Sequence, residues 1–160
     1  MAEPFKSMSR TSLFYRYSFV RLMYTCLFEV SLSGGTCFDP LFYHYPNDEE
    51  LYKDYEHTFM FANYIKVSPI LEPLPDNSSE YKAYFPKGKW VSIYNLGNII
   101  DCSSEGRWVN LQLLPVIQSH LREGSIIPYQ DNLHYRAKNT VELLKLPITL
   151  IAHRNKHGVA

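Results

Sequence analysis

The stretch Tyr81-Lys82-Ala83-Tyr84-Phe85-Pro86-Lys87-Gly88-Lys89-Trp90 decides the fold class. Its apolar residues alternate with others up to the turn signal Pro86-Lys87-Gly88, and Trp90 opens a second apolar segment, so we interpret the stretch as a β-hairpin. Similar short segments follow Gly35 without helices between them, which predicts a mainly β fold, an antiparallel β-sandwich rather than a doubly wound sheet. The predicted strands are residues 37–44, 64–71, 81–85, 90–94, 107–113, 116–121, 125–127 and 149–153.

The segment ahead of these strands predicts one long α-helix over about residues 10–33. It contains no Pro or Gly, and Gly34-Gly35 follow, where a helix commonly ends on a residue of positive φ. Apolar residues occupy two sides of this helix. Such a helix belongs between two packed bodies, so we expect one side to lack a covering partner in this chain. One stripe holds Leu13, Tyr17, Val20, Tyr24, Leu27 and Phe28, and the other holds Phe19, Leu22, Met23, Cys26 and Val30.

Composition excludes several classes of function. The 160 residues carry 16 basic and 16 acidic side chains, so the formal net charge is zero and no nucleic-acid partner is expected. No run of eighteen apolar residues occurs, so no membrane span is expected. Phosphate-binding glycine-rich loops are missing, and we expect no nucleotide or other cofactor. The aromatic content of 15% suits strands and also surfaces on which sugars stack.

Cysteine, histidine and carboxylate residues are too scattered to predict a metal site or a catalytic set. Cys26, Cys37 and Cys102 form no C-x-x-C pair, and their odd number argues against a disulfide framework, although the state of each cysteine stays open. The six histidines form no H-E-x-x-H motif, and we expect them at the surface or in loops. Asn77 begins the sequon Asn77-Ser78-Ser79, which makes it an N-glycosylation candidate if the chain is exported.

A series of short motifs runs through most of the chain and carries a resemblance to a known family. In order they are RYSFVRLMYT at 16–25, GTCFDPLF at 35–42, YPND at 45–48, FMFA at 59–62, VSPIL at 67–71, AYFPKGKW at 83–90 and HLREGSIIPYQ at 120–130. Each motif is modest by itself. In this order and near this spacing they resemble the motifs of glycoside hydrolase family 31, the α-glucosidases.

The resemblance implies an architecture that explains the two-sided helix. In the family this helix is the last of a (β/α)8 barrel, and the strands after it form a C-terminal β-sandwich beside the barrel. It follows that residues 1–58 hold the end of the catalytic barrel and a connector, and that residues 59–160 hold the β-sandwich, truncated at its end. The remainder of the barrel is then the expected partner. We expect the chain to be an internal piece of an α-glucosidase, or a truncated product.

The resemblance also implies the chemistry. Retaining glycosidases use a carboxylate nucleophile and a carboxylic acid/base about 5 Å apart. The family's nucleophile motif W-x-D-M-N-E and its acid/base aspartate do not occur in these 160 residues, so we assign no catalytic residue and expect the isolated chain to be inactive. The implied substrates of the parent enzyme are α-linked glucosides. A secretory, lysosomal or extracellular location follows from the resemblance alone.

A non-catalytic carbohydrate-binding or interaction module is the alternative interpretation. Trp90 and Trp108 would be its sugar-stacking surface, with core packing as the competing role of both rings. Arg122 is a third candidate for a sugar contact, against a structural ion pair or backbone donor. Asp39 stands where the family usually has Arg, so any ion pair that it makes needs a different partner.

Overall fold

The computed structural model describes residues 3–53, 58–130 and 148–154. Within these ranges two helices precede ten short strands, which confirms a mainly β fold preceded by helical structure. The helices are α1 (Glu3–Tyr17) and α2 (Val20–Ser33). The strands are β1 (Phe38–Pro40), β2 (Phe59–Phe61), β3 (Ile65–Ser68), β4 (Glu80–Phe85), β5 (Gly88–Ser92), β6 (Ile99–Cys102), β7 (Arg107–Gln112), β8 (Gln118–Arg122), β9 (Ser125–Tyr129) and β10 (Thr149–His153).

The described strands form one large sheet and two small ones. The large sheet has six strands in the order β1-β2-β3-β8-β5-β6, and β4–β7 and β9–β10 form two-stranded sheets. Every pairing between them is antiparallel, as the sequence predicts. The β4–β7 sheet packs on one face of the large sheet, and the helices and the β9–β10 sheet pack on the other. The large sheet is therefore the middle of three layers.

The first hydrophobic core fills the sandwich between β4–β7 and the large sheet. Phe85 and Trp90 have no exposed surface, and their ring centroids lie 6.1 Å apart. Side chains alternate across a strand, so Trp90 faces this core while Val91 faces the other one. The buried members of the sandwich core are Leu41, Leu51, Met60, Ala83, Tyr84, Phe85, Trp90, Ile100, Cys102 and Leu111.

The second core lies between the helices and the opposite face of the large sheet. Phe19 and Leu22 are 7% and 6% exposed and supply the helical side. Burying a side chain of this size contributes about 1.5–3 kcal/mol. These contacts hold the helix layer on the sheet. The buried members of the helix-side core are Phe19, Leu22, Phe61, Ala62, Ile65, Val91, Ile93, Leu121 and Ile127.

The predicted hairpin between β4 and β5 is wrong. β4 pairs with β7, whereas β5 pairs with β6 and β8 in the large sheet. The chain changes sheet at Pro86-Lys87-Gly88, where Gly88 takes a φ of 137° that side chains rarely adopt. Because their strands belong to opposite sheets, Phe85 and Trp90 meet across the space between the sheets.

The helical region is broken, unlike the single helix that the sequence predicts. Ser18 and Phe19 form a turn between α1 and α2, and α1 begins earlier than predicted, at Glu3. Ser18 is buried, its Oγ donates to the Phe14 carbonyl (3.1 Å), and its own carbonyl accepts from the amide of Gln130 (3.0 Å). The hydroxyl competes with the helical hydrogen bonds, and the contact from the end of β9 fixes the break. α2 ends at the predicted Gly34.

Two strands and one turn also differ from the sequence interpretation. β2 and β6 lie outside the predicted strands. The predicted strand 37–44 is a strand only over β1, and a 3₁₀ turn follows at Leu41–Tyr43. This turn places Leu41, which is 2% exposed, in the sandwich core. The burial of Leu41 in the core therefore outweighs the strand propensity of this segment.

A disulfide joins Cys26 on α2 to Cys37, the residue before β1. Their Cα atoms are 5.9 Å apart, within the range that a disulfide spans. Cys102 on β6 is a buried free thiol. The chain thus carries one covalent link, and it ties the helix layer to the edge strand of the large sheet.

Candidate functional site

The helices present an apolar side that no described residue covers. Leu27 and Phe28 on α2 are 50% and 54% exposed, and Tyr24 is 61% exposed. The sequence predicts such a side, and its members are exposed among the residues that the structure describes. Val20, which belongs to the same predicted stripe, is half-buried. We call this surface the uncovered stripe, and it consists of Leu13, Tyr17, Tyr24, Leu27 and Phe28.

Trp90, a candidate for sugar stacking, lies inside the sandwich core. It is 0% exposed, and its indole Nε1 donates a hydrogen bond to the Pro86 carbonyl at 3.0 Å. The ring packs edge-on against Phe85. The core-packing interpretation of this residue matches the structure, since no face of the ring is open to a ligand.

Trp108, the second candidate, is 42% exposed on β7. Its Nε1 donates to Glu50 Oε1 at 3.0 Å, and its ring meets Tyr84 edge-to-face at 5.6 Å between centroids. Hydrogen bonds from Lys53 and from Trp108 lower the pKa of the Glu50 carboxyl. Trp108 therefore keeps an open ring surface but is held in place by a carboxylate. The structure does not bring it together with Trp90.

Arg122, the third candidate, lies at the end of β8 and is half-buried. Its guanidinium carbon is 5.2 Å from the ring centroid of Tyr45, and its amide donates to the Tyr64 carbonyl at 2.9 Å. A cation held over an aromatic ring stabilises the fold by about 0.5–2 kcal/mol. These contacts give Arg122 a structural role in the chain.

Asn77 lies on an exposed turn between β3 and β4. Its φ is 64°, a conformation that Asn tolerates better than most residues. Ser78 closes the turn, because its amide and its hydroxyl both donate to the Pro75 carbonyl, at 3.1 and 2.7 Å. The Asn77 side chain is thus accessible to a modifying enzyme.

Asp39 finds its partner locally. Its side chain is largely buried on β1, Oδ2 lies 3.2 Å from His44 Nε2, and Oδ1 accepts a hydrogen bond from the Thr36 hydroxyl. The pair joins β1 to the end of the 3₁₀ turn that follows it. The different partner that the sequence demands is therefore a histidine five residues away.

The sequence did not predict the buried polar pair in the sandwich core, Lys66 and His120. His120 on β8 and Lys66 on β3 stand opposite each other in the sheet register, and both are 0% exposed. The Lys66 ammonium donates to Ser68 Oγ (2.5 Å) and lies 4.1 Å from the centroid of Phe85. Burial, and secondarily the charge of Lys66, lowers the pKa of His120 to about 3. The expected surface position of His120 is thus wrong, because its strand neighbours put it on the inner face.

The other histidines divide in two groups. His44 and His153 are half-buried, on the turn described above and on β10. His57, His134 and His157 lie outside the described residues.

Among residues 3–53, 58–130 and 148–154, no three His, Cys, Asp or Glu side chains are grouped as a metal site would require. No helix in the described part of the chain has the length and hydropathy needed to cross a membrane.

A cleft of about 460 Å³ opens between β7 and the large sheet. On the side of the large sheet it is lined by Ser92, Gln118 and the turn after β5, which includes Tyr94, Asn95 and Asn98. On the other side lie Val109 and Leu111 and the edge of β7 that faces away from β4. Gln118 Nε2 donates across the cleft to the Gln112 carbonyl at 2.9 Å. We call this cavity the amide cleft.

Sequence comparison connects this chain to catalytic relatives that are much longer. The alpha-glucosidase of Hordeum vulgare is 32% identical over 124 residues, which are 77% of this chain and 14% of the barley protein. The lysosomal alpha-glucosidase of Mus musculus is 29% identical over 175 residues, 99% of this chain and 18% of the mouse protein. The chain spans less than a fifth of either relative.

Solved structures share the fold. A Flavobacterium johnsoniae GH31 dextranase complexed with glucose superposes with a TM-score of 0.73 and 25% identity, over 90% of this chain and 16% of the dextranase chain. The glucosidase II alpha subunit gives a TM-score of 0.83 at 18% identity, over 97% of this chain and 16% of that subunit. Residues 34–127 match the profile of the glycosyl hydrolase family 31 C-terminal domain. The chain belongs to glycosyl hydrolase family 31.

Proposed function

We propose that this chain is the C-terminal part of a retaining α-glucosidase and that it supports the catalytic barrel of that enzyme. The uncovered stripe carries the proposal. Five large apolar side chains on α1 and α2 are each at least half exposed, whereas Phe19 and Leu22 of the same helical region are buried against the large sheet. Exposed apolar side chains grouped in this way mark an interaction site in a soluble protein. The remainder of a (β/α)8 barrel is the partner that the family membership favours.

Residues 1–58 would provide the end of the barrel and a connector in this arrangement, and residues 59–160 the C-terminal β-sandwich. The two parts share structure, because β1 from the first is the edge strand of the large sheet and pairs with β2 from the second. The Cys26–Cys37 disulfide adds a covalent link within the first part. The sandwich would thereby hold the last barrel helix in a fixed position.

The substrate of the whole enzyme would be an α-linked glucoside, as the names of the barley and mouse relatives indicate. Hydrolysis with retention needs two carboxyl groups about 5 Å apart on either side of the glycosidic bond. Neither the nucleophile motif nor the acid/base motif of the family occurs in the 160 residues. The isolated chain would therefore not hydrolyse glucosides.

An activity assay tests this point. The purified chain is incubated with maltose and with p-nitrophenyl α-glucoside, beside a mock purification from the same host. We expect no release of glucose or nitrophenol above the mock sample. Hydrolysis that copurifies with the chain and exceeds the mock value would contradict the proposal.

The compartment that we propose is the secretory pathway, leading to the lysosome or the cell exterior. Disulfides persist in oxidising compartments, and the Cys26–Cys37 pair has the separation that such a bond requires. Asn77 would then carry an N-glycan. Expression in a secreting eukaryotic cell is expected to add a glycan mass that Asn77→Gln removes, and an unchanged mass would count against this location.

A non-catalytic carbohydrate-binding module is the second candidate function. Trp108 favours it, since part of its ring is open to solvent, whereas the buried Trp90 cannot contribute a stacking surface. Calorimetric binding of an oligosaccharide that Trp108→Ala abolishes would support this candidate. The uncovered stripe has no role in it, so the barrel-supporting function explains more of the molecule.

A further inference from the structure

The amide cleft combines polar and apolar groups in a way that suits one kind of ligand. On the large sheet, Ser92 and Gln118 are 3% and 7% exposed and form the polar side. Val109 and Leu111, on the inward side of β7, form the apolar side opposite. A sugar ring has the same two characters, with hydroxyl groups at its edge and C–H groups on its faces.

The free edge of β7 adds main-chain groups to the cleft. Leu113 donates to the Ser79 carbonyl, so alternate residues of β7 turn their amides towards β4 and the others turn them away. Asn110 and Gln112 belong to the second set and line the cleft. Among the main-chain groups on this edge, only the Gln112 carbonyl forms a hydrogen bond with another described residue, accepting it from Gln118 Nε2. Unpaired amides and carbonyls next to a cavity are available to ligand hydroxyls.

The turn after β5 supplies the rim. Tyr94 is 51% exposed and lines the cleft together with Ser92. The Asn98 side chain, also exposed, makes no hydrogen bond to another described residue, and a carboxamide can donate two hydrogen bonds and accept two. A tyrosine ring with a nearby carboxamide offers both stacking and hydrogen bonding.

Charge and size narrow the ligand class. Glu80 is the only side chain charged at neutral pH among the described residues that line the cleft, and no Lys or Arg lines it. Phosphates and other anions are therefore disfavoured. The volume of about 460 Å³ falls within the range of small-molecule sites, about 300–1,000 Å³.

We propose that the amide cleft is a second, non-catalytic binding site for a neutral oligosaccharide built from α-linked glucose. The choice of the α-linkage rests on the proposed function, whereas the preference for a neutral oligosaccharide rests on the cleft itself. Such a site would hold a polymeric substrate on the sandwich while the barrel acts on its end.

Calorimetric titration of the whole chain with maltotriose tests the proposal. The double variant Tyr94→Ala/Asn98→Ala removes the rim, and we expect its dissociation constant to rise at least about tenfold, as for the loss of one or two hydrogen bonds and a stacking contact. The matched control is Tyr52→Ala/Asn47→Ala, which removes the same residue types from the segment that contains the 3₁₀ turn Glu49–Tyr52. Tyr52 is 50% exposed, close to the value for Tyr94. The control is expected to bind as the wild type does.

Two further arms separate the competing explanations. Trp108→Ala is expected to leave maltotriose binding unchanged, and cellotriose, the β-linked isomer, is expected to bind more weakly than maltotriose. No maltotriose binding by the folded wild-type chain, or binding lost in Trp108→Ala but kept in the rim variant, would overturn the proposal. Neither result touches the barrel-supporting function, which depends on the uncovered stripe and is measured separately.

Discussion

On α2, Leu22 is 6% exposed, while Leu27, five residues later, is 50% exposed. Both are leucines of the same helix, and each belongs to an apolar stripe that the sequence already shows. The strands of this chain cover the stripe of Leu22 and leave the stripe of Leu27 open. An apolar pattern on a helix therefore indicates where contacts belong, including contacts that the described residues do not make.

Truncating the two leucines is the strongest way to test this comparison. Leu22→Ala is expected to lower the free energy of unfolding by about 2–5 kcal/mol, since it leaves a cavity in the helix-side core. Leu27→Ala is expected to change it by less than about 0.5 kcal/mol, as for a surface substitution. Urea unfolding measures both values. Equal losses would mean that the stripe of Leu27 is covered in solution.

The disulfide provides a second test of the comparison between the two sides of α2, because it holds the buried side against the large sheet. Cys26→Ser/Cys37→Ser is expected to lower the free energy of unfolding by about 2–3 kcal/mol, as for a loop of eleven residues in sequence separation. Reducing agent should destabilise the wild type by a similar amount and leave the double variant unaffected. Measuring both proteins in a Cys102→Ala background excludes effects of the third thiol. A wild type that is insensitive to reduction would contradict the expectation.

His120 lies on the inner face of the sandwich, which the helices do not contact, and it provides a reference for the stability of the helix side. The pKa of His120 is about 3 in the folded chain and 6.5 in its ordinary state. The unfolded chain therefore binds more protons between these values, and the stability contributed by neutral His120 is complete above pH 6.5 and falls as the pH drops towards 3. Between pH 7 and pH 5 the loss is about 2 kcal/mol.

His120→Gln isolates this contribution. The variant is expected to be less stable at pH 7 but to lose about 2 kcal/mol less than the wild type on going from pH 7 to pH 5, since glutamine does not titrate. Urea unfolding at both pH values gives the comparison, with a substitution of the half-buried His153 on β10, His153→Gln, as a control. Parallel pH dependence in the wild type and in His120→Gln would show that folding does not lower the pKa of His120.

The fold class followed from strand alternation, and the uncovered stripe from helical periodicity, because both patterns are local. The sequence did not predict which strands pair with each other. Pro86-Lys87-Gly88 indicates a change of direction but leaves open whether the chain stays in the same sheet. The break at Ser18 depends on Gln130, more than a hundred residues away. Local propensity cannot anticipate such a contact.

The candidate sites also depended on contacts that the sequence pattern does not give. The core role of Trp90 was one of two interpretations of its strand pattern, and only burial distinguishes them. The pairing of Cys26 with Cys37 depends on a Cα separation that sequence spacing does not give. The amide cleft combines Ser92, Gln118 and the edge of β7, which come together only when the two sheets pack.

The most direct test of the central claim, that the uncovered stripe contacts a catalytic barrel, is a reconstitution assay. The barley alpha-glucosidase is expressed without the segment that matches this chain, and maltose hydrolysis is measured after adding that segment as a positive control, the present chain, or its Leu27→Glu/Phe28→Glu variant. We expect that the chain restores hydrolysis and that the variant restores at least tenfold less, because two buried carboxylates would be left unpaired at the contact. Restoration by the barley segment alone, or equal restoration by chain and variant, would contradict it.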